Sequence, residues 1–168
     1  LATSIVTEAF EIVHERTGPV SLPGGAVDLH DRFRTLERDP SFYASLIDCC
    51  REEQIDFLCT PFGSRSASEL QRLGAPAFKI ASPEINHLPL LDQVAGYGSP
   101  VFLSTGVSKL ADIELALAHL AGTTTTILHC ITAYPAPEEQ YNLTLIPNLS
   151  AVFGVPVGVS DHSRSPSL

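Results

Sequence analysis

Residues 77–91 read AFKIASPEINHLPLL, a short apolar run that ends in polar residues and passes into a helical pattern. In a strand, Phe78 and Ile80 point to one side, and Lys79 points to the other with Ala81. Leu88, Leu90, Leu91 and Val94 then keep helical spacing near 87–96. The same unit recurs outward in both directions. Apolar runs stand at 55–59 (IDFLC), 101–105 (VFLST), 126–131 (TILHCI) and 155–160 (VPVGVS), so that strand starts are 22, 24, 25 and 29 residues apart. Phe42, Leu46 and Ile47 mark a helix near 40–53, and Leu70 and Leu73 one near 65–73. Leu110, Ile113, Leu117 and Leu120 mark another, with Ser108 as its N-cap and Gly122 just past its end. The last, near 143–152, is weakened by Pro147. This period predicts a parallel sheet buried on both faces, with helices outside.

Two architectures have that period, an open doubly wound sheet and a (β/α)8 barrel. The first, in its nucleotide-binding form, carries GxGxxG after an early strand, and the chain has none. Polar residues instead come after nearly every strand: Thr60, Ser82, Ser104, Thr132 and Ser160–Asp161–His162. Barrel enzymes build their sites from strand ends at one face in this way. The expected fold class is therefore α/β, a partial TIM barrel over 39–168, with five of the eight units in the chain. Residues 1–38 hold the turns at 18–19 and 23–25 and the charged stretch HDRFRTLERD. They read as an irregular connection or insertion preceding the barrel strands.

The 168 residues are 44% hydrophobic and 17% charged, enough for one core. Lys and Arg number 10 against 19 Asp and Glu, a net charge of −9 with no basic cluster. That balance argues against nucleic acid and anionic membrane as partners. Nor is there an apolar run of the roughly 18 residues a spanning helix needs. A chain that starts at Leu1 and contains no methionine is expected to be a piece of something longer. Cys49, Cys50, Cys59 and Cys130 show no metal-site spacing and read as small hydrophobes of a reducing, cytoplasmic protein.

Lys79 is the sharpest chemical signal, because an ammonium inside a buried strand needs an anion. Either an acid such as Glu84 pairs with it, or it faces a substrate phosphate or carboxylate. Glu84 itself suits a helix N-terminus as well as a site. Ser104-Thr105-Gly106 offers hydroxyl and N–H groups to a phosphate. His129, in an apolar run, reads as a satisfied core histidine. Tyr134 leaves its strand where it can bond a sugar or simply pack. Ser160-Asp161-His162 is either a metal ligand beside an acidic orienter or a capping cluster. A Ser-His-Asp hydrolase lacks its GxSxG elbow here.

These segments together resemble the sialic acid synthase family, the phosphoenolpyruvate-dependent synthases of nonulosonic acids. The matching stretches are FLCTPF (57–62), AFKIASPEINHLPLL (77–91), PVFLSTG (100–106), LHCITAYPAPEEQYNL (128–143) and VPVGVSDHS (155–163). The 77–91 segment is similar to that of relatives in spore-coat polysaccharide synthesis. The resemblance implies strands three to seven of a (β/α)8 barrel. The other strands and the family's C-terminal antifreeze-like domain would lie outside the chain.

The implied reaction condenses phosphoenolpyruvate with an N-acetylated aminosugar such as N-acetylmannosamine, releasing phosphate, with Mn2+ or Mg2+ assisting. Lys79 and Ser82 match phosphoenolpyruvate-binding positions, and Ser104 and Ser160 match phosphate-contacting ones. Glu84 matches the active-site glutamate, Tyr134 a sugar-contacting tyrosine and His162 the first of two metal-binding histidines. Thr132 stands where some members have a phosphate-binding Asn. The second histidine would lie beyond Leu168, so the 168 residues alone are expected to be inactive, and the parent to be a homodimer. Sister synthases of 3-deoxy-ketulosonic acids share the chemistry, but the KIAS-x-E and SDH motifs disfavour them. A non-catalytic barrel remnant that binds phosphosugars is the reading from another class.

Overall fold

Strands and helices alternate in a computed structural model of the protein, which describes residues 19–22, 25–28 and 34–165. The chain divides into two compact units, Leu1–Pro76 and Ala77–Leu168.

In the first unit, β1 (Val20–Leu22) pairs antiparallel with β2 (Gly25–Val27), a two-stranded ribbon within the stretch read as irregular. Helix α1 (Pro40–Glu52) starts at Asp39, whose carboxylate accepts the Ser41 N–H at 2.9 Å. Pro40, next in line, has its φ preset for the first turn. The helix buries Tyr43 and Ile47, whereas Phe42, expected on the core face, is 41% exposed. Four residues separate Tyr43 from Ile47, close to one full turn, while Phe42 lies well round the helix from Ile47. The next strand, β3 (Leu58–Cys59), is shorter than its apolar run. Ile55 belongs to the turn that ends α1, its N–H bonded to the Cys50 carbonyl at 2.9 Å. Helix α2 (Ser64–Arg72) buries Ser66, Ala67 and Leu70.

In the second unit, β4 (Ala77–Ile80), β5 (Val101–Ser104), β6 (Thr125–Cys130) and β7 (Val157–Ser160) lie side by side in chain order, all parallel. Helices α3 (Leu88–Ala95), α4 (Leu110–His119) and α5 (Leu145–Phe153) connect them. Register pairs Lys79 with Phe102, Ser104 with Leu128, and Cys130 with Ser160. Paired residues share a face, so Lys79, Phe102, Ser104, Leu128, Cys130 and Ser160 all lie on one side of the sheet.

The opposite side carries Phe78, Ile80, Val101, Leu103 and Ile127, all fully buried, as are Leu90, Leu91 and Val94 of α3 and Ala116 of α4. The Phe78 ring also lies against Tyr97, centroids 5.4 Å apart. Within these residues the two faces of the sheet are not covered alike. The face of Lys79 is partly open, with Lys79, Phe102 and Leu128 half-buried.

Two connections differ from expectation. Helix α4 begins after Lys109 and not after Ser108. Asp112 accepts the Lys109 N–H at 2.8 Å, while the Ser108 hydroxyl donates back to the Gly106 carbonyl at 3.2 Å. Pro147 does not break α5, because it is the third helical residue, where an N–H has no partner within the helix. Among the described residues no helix is long and apolar enough to cross a membrane.

Candidate functional site

The site is built from the carboxyl ends of β4, β5, β6 and β7 and the turns into which they lead. Lys79 stands on the partly open sheet face, and its ammonium has no hydrogen bond or ion pair with any described residue. Burial holds its pKa below the ordinary lysine range. Glu84 does not supply the missing anion. Its carboxylate Oε2 is 2.7 Å from His87 Nδ1, with the Glu84 side chain only 14% exposed. Sequence periodicity gives no hint of His87 in this role, although the i,i+3 spacing within INH and its preceding glutamate fits such a pair.

On the same face as Lys79, Ser104 is 1% exposed and its Oγ has no hydrogen-bond partner among the described residues. A buried hydroxyl left so is costly unless something else meets it. Just beyond it, the Gly106 N–H donates to Ser82 Oγ at 2.9 Å. A Cβ at Gly106 would lie 2.1 Å from Thr132 Oγ1 and 3.0 Å from Ser82 Oγ, so the backbone approaches these hydroxyls as only glycine allows. Ser82, Gly106 and Thr132, together with Pro83, Ile85, Asn86 and Val107, line an open cavity of about 300 Å³. Val107, a β-branched residue at φ 57°, is 93% exposed beside it.

After β6, the Tyr134 ring lies over His162, centroids 4.4 Å apart. His162 Nδ1 is 3.2 Å from the Ile131 carbonyl and 3.7 Å from Cys130 Sγ. A carbonyl only accepts, so Nδ1 carries the hydrogen of that bond, and in the neutral tautomer this leaves the lone pair to Nε2. That is the arrangement of a metal-binding imidazole held by a backbone carbonyl. Asp161 is not its orienter. The Asp161 carboxylate accepts the Ser163 N–H at 2.7 Å and the Tyr141 hydroxyl at 2.8 Å, and both hold its pKa below the usual carboxylate range, the Ser163 amide foremost. Among the described residues no three His, Cys, Asp or Glu side chains gather to hold a metal. Of the donors such a set would need, the described residues offer His162 through its ring nitrogen.

His129 is buried, with Nε2 hydrogen-bonded to the Tyr141 carbonyl, as its core reading anticipates. Thus Ser82 and Thr132 meet at one cavity, Lys79, Ser104 and Ser160 share one sheet face, and the Tyr134 and His162 rings lie together at a tilt of 39°. Glu84 lies close to Ser82 in the 3₁₀ turn Ser82–Glu84.

The sequence profile of the NeuB family matches residues 11–167. The chain belongs to the NeuB family. It is 40% identical over 148 residues to the spore coat polysaccharide biosynthesis protein SpsE of Bacillus subtilis, covering 86% of this chain and 40% of that protein. It is 40% identical over 134 residues to the N,N'-diacetyllegionaminic acid synthase of Campylobacter jejuni, covering 77% and 40%. Among solved structures, the N-acetylneuraminic acid synthetase of Leptospira borgpetersenii, in complex with citrate, superposes with a TM-score of 0.82 at 28% identity. That match covers 92% of this chain and 53% of the other. The chain spans about two fifths of the length of the curated relatives it matches. Its fold is a part of the α/β barrel of NeuB-family synthases, and the family match reaches well upstream of residue 39.

Proposed function

We propose that the protein containing this chain condenses phosphoenolpyruvate with an N-acetylated aminosugar, such as N-acetylmannosamine, to a nonulosonic acid and phosphate. The product would feed surface or spore-coat polysaccharide. The observation that carries this reading is Lys79, an ammonium without an acid partner among the described residues, on the sheet face that also holds the unpartnered hydroxyl of Ser104. A cation and a buried donor, both unanswered, suit a compact dianion.

In this mechanism Lys79 neutralises phosphate and carboxylate charge, while Ser82, Ser104, Thr132 and Ser160 supply hydroxyls to the same anion. Tyr134 contacts the sugar. The methylene carbon of phosphoenolpyruvate bonds to the sugar aldehyde carbon, whose oxygen takes up a proton. Water adds to the neighbouring carbon that carries the phosphate ester and loses its protons, and the bond from that carbon to the phosphate oxygen breaks to release phosphate and leave the ketone. Glu84 stabilises the cationic centre or accepts the proton of that water. His162 would be one ligand of Mn2+ or Mg2+, which when bound supplies Lewis acidity toward the aldehyde. The reading extends to a cytoplasmic homodimer.

Calorimetric titration of phosphoenolpyruvate into the full-length protein and its Lys79→Met variant tests the carrying observation. Loss of a charge-assisted contact of about 1.5–3 kcal/mol weakens affinity at least about tenfold. Equal affinity would show that Lys79 serves no anion.

A further inference from the structure

Tyr141 comes just after the 3₁₀ turn Glu138–Gln140 and is 1% exposed. Its hydroxyl donates to Asp161 Oδ1 at 2.8 Å and accepts the His162 N–H at 2.7 Å. The phenol therefore spends its one donor and an acceptor site on two consecutive residues of the turn after β7. That same Asp161 oxygen accepts the Ser163 N–H, which closes the turn from the other side. Tyr141 is fixed in its own right, because its carbonyl takes a hydrogen bond from the buried His129 of β6. The rings of His129 and Tyr141 meet edge to face, centroids 6.4 Å apart.

Three of the groups that meet His162 hold its backbone or its Nδ1–H through oxygen or nitrogen. Tyr141 takes its N–H, the Ala136 N–H donates to its carbonyl at 2.9 Å, and the Ile131 carbonyl takes Nδ1–H. The last two are backbone groups. Of these three, the Tyr141 contact alone comes from a side chain, and it holds the backbone of His162, whereas Tyr134 and Cys130 Sγ meet the ring. A hydroxyl that both donates to and accepts from such a turn does more than fill space, since a phenylalanine would fill it as well.

We propose that Tyr141 is a positioning residue that fixes the backbone of His162, and so the placement of its Nε2, for metal binding. The proposal rests on the reading of His162 as a metal ligand given under Proposed function. Outer contacts that hold a ligating ring directly are worth about 10–100-fold in metal affinity, and one that fixes the ligand's backbone is set against the lower end of that range.

The test uses the full-length protein and its Tyr141→Phe variant. Mn2+ binding is read from the free-ion electron paramagnetic resonance signal, and phosphoenolpyruvate binding by calorimetry in the absence of metal. The expected result is Mn2+ affinity at least about tenfold weaker in the variant, with phosphoenolpyruvate affinity within about twofold. Unchanged Mn2+ affinity overturns the proposal, as does parallel loss of both ligands, which marks a purely structural role. Absence of Mn2+ binding in the wild-type protein overturns the metal reading itself, and the two failures are thereby told apart. Should Tyr141→Phe not fold, Asp161→Ala, which removes the acceptor that orients the phenol, is read by the same criteria.

Discussion

The Gly106 N–H donates to Ser82 Oγ at 2.9 Å, tying the turn after β5 to the turn after β4. Two strands that are neighbours in the sheet are thereby joined at their carboxyl ends by one backbone donor and one side-chain acceptor. A substrate anion placed at this junction meets groups already held in place, which lessens the reorganisation that binding would otherwise require.

Gly106→Ala tests that junction directly. Its methyl would lie 2.1 Å from Thr132 Oγ1. Overpacking of this kind costs about 1–3 kcal/mol, and phosphoenolpyruvate affinity falls with it. Adding Thr132→Ala removes the nearest atom, so the double variant recovers most of the lost stability in urea unfolding. Additive losses would place the strain elsewhere.

Lys79 leaves a signature in the pH dependence of stability. Its folded pKa is depressed by burial, so between that value and the ordinary lysine range the unfolded chain binds more protons than the folded one. Stability therefore rises with pH through that window, and the penalty is fully present below it. Lys79→Met removes the group, and the stability difference between variant and wild type narrows as pH is raised. Denaturant titrations at neutral and alkaline pH read the trend.

Glu84→Gln keeps the size of the side chain and discards its charge. In the full-length protein, turnover falls by about 10²-fold or more, while phosphoenolpyruvate affinity changes little. His87→Ala leaves the carboxylate in place without its 2.7 Å partner, and gives a smaller loss of kcat. Steady-state kinetics beside equilibrium binding separates the two effects, and equal losses in kcat and binding would remove Glu84 from the chemistry.

Asp39 reports on the start of α1. The Ser41 backbone amide holds its carboxyl below the usual range. Its ionised form contributes stability above that range, and the contribution is lost as pH falls through the depressed value. Asn caps a helix about as well but does not titrate. Asp39→Asn thus leaves stability nearly unchanged at neutral pH and loses less of it as pH falls from the usual carboxylate range through the depressed value. An identical acid response in both proteins would contradict the cap.

The parts legible in the sequence are those with a local period. The strands at 77–80 and 101–104 come from alternating apolar residues, and the polar strand ends from their position just after them. Phase is harder. One residue separates Phe42 from Tyr43, and burial selects the tyrosine through its spacing from Ile47. Pro147 reads as a breaker until its place in the first turn of α5 is known. The role of Tyr141 has no local trace, since its partners lie 20 and 21 residues away on another strand end. The Glu84–His87 pair is local, but its i,i+3 spacing does not tell a pair with His87 from one with Lys79.

The most direct test of the central claim is phosphate release by the full-length protein. It is given phosphoenolpyruvate, Mn2+ and a panel of acetamido-sugars, and the sugar product is read by mass spectrometry. The expected result is phosphate formed in equal amount to a nonulosonic acid, only when an acceptor sugar is present, and lost in Lys79→Met. Phosphate release that ignores the sugar, or no release with any of them, would contradict it.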